Sequence, residues 1–129
     1  MANPFVHIEL NTQDVAESKD FYSKLFDWKI QDVPMGDEPY TIIGVGEGGA
    51  GGGIFKHPMP GAPSFWLPYV LVDDVKASTD RAKALGATVI KDVTEVGDAG
   101  WLSIIQDPQS AVLGLWKPKP RIWDAKPQS

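Results

Sequence analysis

Two stretches decide how this chain folds: FVHIELNTQDVAESKDFYSKLF at residues 5–26 and FWLPYVLVDDVKASTDRAKALG at residues 65–86. In the first, Phe5, His7 and Glu9 alternate with Val6, Ile8 and Leu10, the period of a half-buried strand. Asn11, Thr12 and Asp14 then offer helix-capping side chains, and Val15, Ser18, Phe21, Tyr22, Leu25 and Phe26 recur at helical spacing. The second stretch repeats the order, with a strand over 66–72 and a helix over 74–85 whose Val75, Ser78, Ala82 and Leu85 share a face. A shift of sixty residues lays Asp14 on Asp74, Ser18 on Ser78 and Leu25 on Leu85. A repeated supersecondary unit fixes an architecture, because each copy needs a neighbour to bury its apolar face.

Between and after these stretches the pattern continues. Strands are expected at 28–30, 40–43 and 54–56 in the first half, with the turn-forming PMGD at 34–37 and a glycine tract at 44–53 between them. In the second half they are expected at 88–93, 101–106 and 111–116, separated by GDAG and DPQS. The shift of sixty persists without a gap, placing Ile42 on Leu102, Val45 on Ile105, Ile54 on Gly114 and Pro58 on Pro118. The expectation is one domain over 1–129, made of a βαβββ module at about 4–57, a proline-stiffened linker at 58–64, a second module at about 65–118 and a tail at 119–129 in which Trp123 is the one large apolar anchor.

Bulk properties bound the function. A chain of 129 residues, 43% of them hydrophobic, has enough apolar side chains for a core of its own. There are no cysteines, which excludes disulfides, thiolate metal sites and a cysteine nucleophile. A net charge of −5 with a pI near 4.8 opposes binding to a phosphate backbone, so no nucleic-acid partner is expected. No window approaches a membrane span, and MANPFVHIEL lacks the pattern of a secretory leader. No membrane partner and a cytoplasmic location are the corresponding expectations.

Paired βαβββ modules, the DPQS turn before the last strand, and the segments GGIFKHP, WLPYVLVDDV and DPQSAVLGL resemble the vicinal oxygen chelate superfamily, which includes glyoxalase I, extradiol dioxygenases and bleomycin resistance proteins. The similarity covers roughly residues 4–118 and is strongest to single-chain, glyoxalase-like members. It implies an α+β fold in which two tandem βαβββ modules form a curved mixed sheet around a shared cleft, with the helices outside. In metal-dependent members, the first and last strand of each module supply the ligands, and the resemblance puts those positions at His7, Ile54, Leu67 and Gly114. Only His7 has a donor side chain, whereas a divalent site needs at least three protein donors. A slip in register would bring in Glu9, Lys56, Tyr69 and Trp116 and add one carboxylate. The expectation is therefore no metal and no cofactor.

Strand alternation gives the candidate site. If His7 faces the cleft, Glu9, Lys56, Leu67, Tyr69 and Trp116 face it too, while Val6, Ile8, Val70, Val72, Leu113 and Leu115 back onto the helices. His7 and Glu9 are the candidate catalytic pair, because an imidazole next to a carboxylate can move protons near neutral pH. Lys56, Leu67, Tyr69 and Trp116 are the candidate ligand-binding residues, an apolar wall with few polar groups. For His7 the alternative is a half-buried histidine on a polar strand face; for Tyr69 and Trp116 it is core packing. The GVGEGG of residues 44–49 matches a dinucleotide fingerprint in letters alone, since no helix follows it, and it reads as a loop. Asp14 and Asp74 read as caps, Asp107 as a turn residue and His57 as a loop residue. Two functions stay open: binding of a small molecule in the cleft without the family metal, or a lyase or isomerase acting on a small carbonyl compound or thiol conjugate. A homodimer is the further expectation, because paired modules leave strand edges.

Overall fold

In the computed structural model, which describes residues 2–35 and 38–120, the chain runs β1 (Phe5–Thr12), α1 (Val15–Leu25), β2 (Lys29–Met35), β3 (Glu38–Gly44), β4 (Gly52–Lys56), β5 (Phe65–Leu71), α2 (Val75–Ala84), β6 (Thr88–Val96), β7 (Gly100–Gln106) and β8 (Val112–Pro118). The class is α+β, and one strand, one helix and three strands occur in that order twice. Two compact units can be distinguished, Met1–Leu71 and Val72–Ser129. Strand β5 falls in the first of them, pairing antiparallel with β1.

The first unit is a mixed sheet in the order β2-β3-β4-β1-β5, in which β4 runs parallel to β1 and the other pairings are antiparallel. Its helix begins where Asp14, in extended conformation, accepts the Glu17 N–H at 3.0 Å, and it ends where the Phe26 N–H returns to the Tyr22 carbonyl. Leu10 is paired with Ile54, Ile54 with Thr41, and Ile43 with Gly52, so these side chains share one face of the sheet. Leu10, Ile43 and Ile54 are buried there, packed by Val15 and Tyr22 of α1 together with Trp28, Ile30 and Val45. Burying each of the three contributes about 2 kcal/mol. No residue of α1 is itself fully buried. The helix is held at its end by an aromatic cluster in which Tyr22 lies 5.8 Å from Trp28 and 5.4 Å from Trp66, and Trp28 lies 6.2 Å from Trp66.

Most strands run longer than those read off the sequence, β1 taking in Asn11 and Thr12, which read as caps, and two of the shifted boundaries have a plain physical reason. Strand β2 runs on to Met35 through Pro34, which is tolerated because β2 is the sheet edge and Pro34 pairs with Pro39, so that neither residue has an N–H to leave without an acceptor. Of the PMGD turn, Gly36 and Asp37 lie outside the described residues, as do residues 121–129 with Trp123. Strand β4 starts at Gly52, inside the glycine tract, and the reason is steric. A Cβ on Gly52 would stand 1.9 Å from the Ile8 carbonyl oxygen of β1. The tract is thus a loop only between Gly44 of β3 and Gly52 of β4, where Gly46 and Gly48 adopt positive φ of 106° and 83°.

The second unit pairs β6, β7 and β8 antiparallel in sequence order. Asp74 caps α2 as Asp14 caps α1, accepting the Ala77 N–H at 3.0 Å. Val75 packs with Val72 and Leu115 in a core flanked by Val93, Trp101 and Ile105. Thr79, buried one turn on, donates to the Val75 carbonyl at 2.6 Å and so receives the Ser103 hydroxyl, 2.8 Å away. Helix α2 stops at Gly86, whose φ of 105° and N–H bond to the Lys83 carbonyl make the left-handed terminus that glycine adopts without strain. The DPQS segment is the expected turn, with the Asp107 carboxylate accepting the N–H groups of Gln109 and Ala111 at 2.8 and 3.0 Å. Among the described residues, no helix is long and apolar enough to cross a membrane.

The Gly52 contact can be tested directly. Gly52→Ala forces a methyl group into the backbone of a neighbouring strand, and overpacking of this kind costs about 2 kcal/mol or more. A thermal melt should place the midpoint of this variant at least ~6 °C below the wild type. An unchanged midpoint would mean that β4 does not approach β1 so closely.

Candidate functional site

On the sheet face opposite α1, the register that buries Leu10 brings four polar side chains together. His7 faces Tyr69 of β5, and Glu9 faces both Leu67 of β5 and Gly53 of β4. Gly53 in turn faces Ile42 of β3, so Tyr40, two residues earlier on the same strand, lies on this face as well. The Tyr40 hydroxyl donates to Glu9 Oε2 at 2.8 Å and lies 3.1 Å from His7 Nε2. The Tyr69 hydroxyl and the Asn11 amide reach the other carboxylate oxygen, Glu9 Oε1, at 3.4 and 3.5 Å. The His7 ring is stacked on Tyr40 with 6.4 Å between centroids and meets the Tyr69 ring nearly edge-on at 5.7 Å. One imidazole is thus held between two phenols, and one carboxylate accepts from both of them.

Sequence explains why Tyr40 fits. A Cβ on Gly53 would stand 1.9 Å from the Tyr40 hydroxyl and 2.3 Å from its ring carbon Cζ. The missing side chain leaves the space in which the phenol crosses β4 to reach Glu9 on β1. The electrostatics follow from burial. Tyr69 is 3% exposed, and burial, the Glu9 charge and the hydrogen bond to it all push the Tyr69 hydroxyl far above its ordinary pKa; the same three causes act on Tyr40. Both phenols therefore stay protonated and act as donors. Burial holds His7 below the usual histidine value, so its ring is neutral at pH 7.

The expected site residues fall in several places. His7, Glu9, Leu67 and Tyr69 lie on one face of the first unit; Leu67 is 2% exposed and serves as apolar floor beside Glu9. Lys56 does not share that face. It is paired with Thr12, on the α1 side of the sheet, and its ammonium donates to the Gln13 carbonyl. The alternation inferred for β4 was displaced by one residue because Gly53, rather than Ile54, faces Glu9. Trp116 belongs to the second unit, where it faces Leu102 of β7 and leaves room for its ring over Gly100, whose Cβ would come within 2.9 Å of it. Tyr40 was missed. The signal that could have found it is a glycine in β4 opposite a tyrosine strand, which marks space reserved for a ring.

The ligand positions implied by the family do not suit a metal. Ile54 is 2% exposed in the core on the α1 side, Leu67 is a hydrocarbon, and Gly114 has no side chain. Among the described residues, no three His, Cys, Asp or Glu side chains come together. His7 and Glu9 are the donors this face offers, and Glu9 already accepts from Tyr40, Tyr69 and Asn11. Elsewhere, His57 accepts the Met59 N–H through Nδ1 and packs edge-on against Phe65, as a loop residue does.

Comparison with known proteins agrees with this architecture. The protein "Putative glyoxylase CFP32" of Mycobacterium tuberculosis is 38% identical over 116 residues, covering 85% of this chain and 44% of its own length. The anthracycline biosynthesis protein DnrV of Streptomyces peucetius is 28% identical over 124 residues, 84% of this chain and 45% of its own length. The chain therefore spans a little under half the length of these relatives. Among solved structures, methylmalonyl-CoA epimerase from Mycobacterium tuberculosis superposes with a TM-score of 0.69 at 12% identity, covering 94% of this chain and 91% of the epimerase. At that identity the likeness is one of fold. Residues 5–113 match the family described as the Glyoxalase/Bleomycin resistance protein/Dioxygenase superfamily, and the chain belongs to it.

Proposed function

We propose that this domain binds a small carbonyl compound or thiol conjugate against the His7 face of its first unit, without the family metal, and that His7 moves a proton on it as an isomerase or lyase does. One observation carries the proposal: a neutral imidazole is fixed between two protonated phenols and connected through one of them to a carboxylate. A neutral imidazole is a competent base near pH 7, and a nearby carboxylate stabilises the imidazolium it becomes. Glu9, accepting from Tyr40, Tyr69 and Asn11, suits that stabilising role better than the role of base. The matched family is described by glyoxalases among others, and one relative is named a putative glyoxylase, which supports a small carbonyl compound as the ligand class. Simple binding without turnover is the second reading, supported by the apolar Leu67 beside the polar group. A homodimer and a cytoplasmic location remain part of the proposal.

A thermal-shift screen of small carbonyl compounds and their thiol conjugates, run with and without divalent metals, tests the proposal. A ligand at a hundred times its Kd adds about 2.7 kcal/mol, a readable rise in midpoint. Metal-free function predicts the same rise in a chelator and an unchanged midpoint for the unliganded protein after chelation. A stoichiometric ion lost on chelation, with a matching fall in stability, would overturn the metal-free part.

Gly53→Ala separates the site from the fold. The added methyl displaces the far end of Tyr40 rather than backbone, so the variant should melt within a few degrees of wild type. It should nonetheless lose most of the ligand-induced shift. Loss of the fold along with the shift would count against a site role for Tyr40.

His7 also makes a pH prediction. Its folded pKa is depressed, so below its unfolded pKa of 6.5 the unfolded chain takes up a proton that the folded chain refuses. Stability is therefore lost as pH falls below about 6.5. Between pH 7.5 and 5 the midpoint of the wild type should fall further than that of His7→Gln. Parallel curves would show that His7 is not held neutral by the fold.

A further inference from the structure

We infer that Tyr40 fixes the tautomer of His7, holding the ring as Nε2–H and leaving Nδ1 as the atom that accepts the substrate proton. The inference rests on the proposed function for its chemistry, and on hydrogen counting for its geometry. A phenol carries one hydrogen. The Tyr40 hydroxyl lies between Glu9 Oε2 at 2.8 Å and His7 Nε2 at 3.1 Å, and a carboxylate can only accept. The Tyr40 hydrogen therefore goes to Glu9, and the Tyr40 oxygen must accept from Nε2–H. Tyr69 and Asn11 also aim donors at the same carboxyl group, through Oε1, which fits an ionised acceptor and not a carboxylic acid that must give a hydrogen away. The polarity runs from His7 through Tyr40 to Glu9, and the bond made by one ring nitrogen sets the state of the other.

Two further contacts keep the ring from escaping this arrangement. Stacking on Tyr40 and the edge contact with Tyr69 fix the plane of the imidazole, and Gly53 keeps the Tyr40 hydroxyl where it is. In the reaction, a C–H bond next to the substrate carbonyl breaks, its hydrogen becomes Nδ1–H, and its electron pair moves onto the carbonyl oxygen as an enolate. The resulting imidazolium keeps Nε2–H on Tyr40 and is stabilised through it by Glu9. Return of the proton from Nδ1 to carbon closes the cycle with no net change in protons or electrons. Tyr40 is a positioning residue in this scheme and acts on the reacting atoms only through His7.

The test reads nitrogen shifts of ¹⁵N-labelled histidine in the intact chain, where His7 is assigned by comparison with His57→Gln. Wild type should show a pyrrole-type Nε2 with its attached hydrogen and a lone-pair-type Nδ1. In Tyr40→Phe a measurable Nδ1–H fraction should appear, with amide resonances away from the site unmoved. Nδ1–H in the wild type overturns the inference, because it requires a protonated Glu9 and the reverse polarity. An unchanged tautomer population in a folded Tyr40→Phe overturns the role of Tyr40. If that variant does not fold, the wild-type spectrum alone decides. These spectra need no ligand, so a failed ligand screen with the expected tautomer would sink the proposed function and leave the hydrogen-bond polarity standing.

Discussion

The parallel ladder between β1 and β4 is the constraint from which the first unit follows. Parallel strands hold a fixed separation, and at Gly52 that separation leaves no room for a Cβ against the Ile8 carbonyl. With Gly52 facing Ile8, Gly53 must face Glu9 and Ile54 must face Leu10. One face then receives Leu10, Ile43 and Ile54 beneath α1, and the other receives His7, Glu9, Tyr40 and Tyr69. A one-residue slip would exchange these sets, burying a carboxylate under a helix and exposing the core. The two glycines thus specify the pairing sterically, where an apolar pair would only favour it.

The polar face carries a second constraint, a conservation of hydrogens. Burial makes every unpaired polar atom costly, and among the described residues no buried side-chain nitrogen or oxygen lacks a partner. Two phenols raised far above their ordinary pKa are obligate donors, and a carboxylate is an obligate acceptor. His7 is the member that can adopt either role, so the network leaves its one adjustable proton there.

Much of this was legible in the residues. The offset of sixty, with Asp14 and Asp74 in equivalent places, announced two capped helices, and both aspartates do cap. His7, Glu9 and Tyr69 could be grouped because strand alternation is strict over short distances. Legibility failed at the glycine tract. Composition describes Gly44 to Gly53 as loop, yet Gly44 ends β3, and Gly52 and Gly53 are strand residues whose meaning is the space they leave for Ile8 and Tyr40. Placing Ile54, and not Gly53, opposite the His7–Glu9 face is an error of one residue in register, and it carried Lys56 onto the wrong face. Tyr40 escaped notice for the same reason: a side chain that crosses one strand to reach another has no signature in its own segment, only in the glycine it passes over.

The aromatic cluster behind α1 gives the two units different optical properties. All three tyrosines, Tyr22, Tyr40 and Tyr69, lie in the first unit, together with Trp28 and Trp66, whose rings stand 6.2 Å apart at 79°. Indoles at that distance and angle couple as excitons, and Tyr22, within 6 Å of both, transfers its excitation to them. In the second unit, Trp101 has a different environment, with the Lys119 ammonium 5.2 Å from the centre of its ring. Near-ultraviolet dichroism excited in the coupled pair is therefore a native chromophore for the first unit, and unfolding of that unit can be followed without any introduced label.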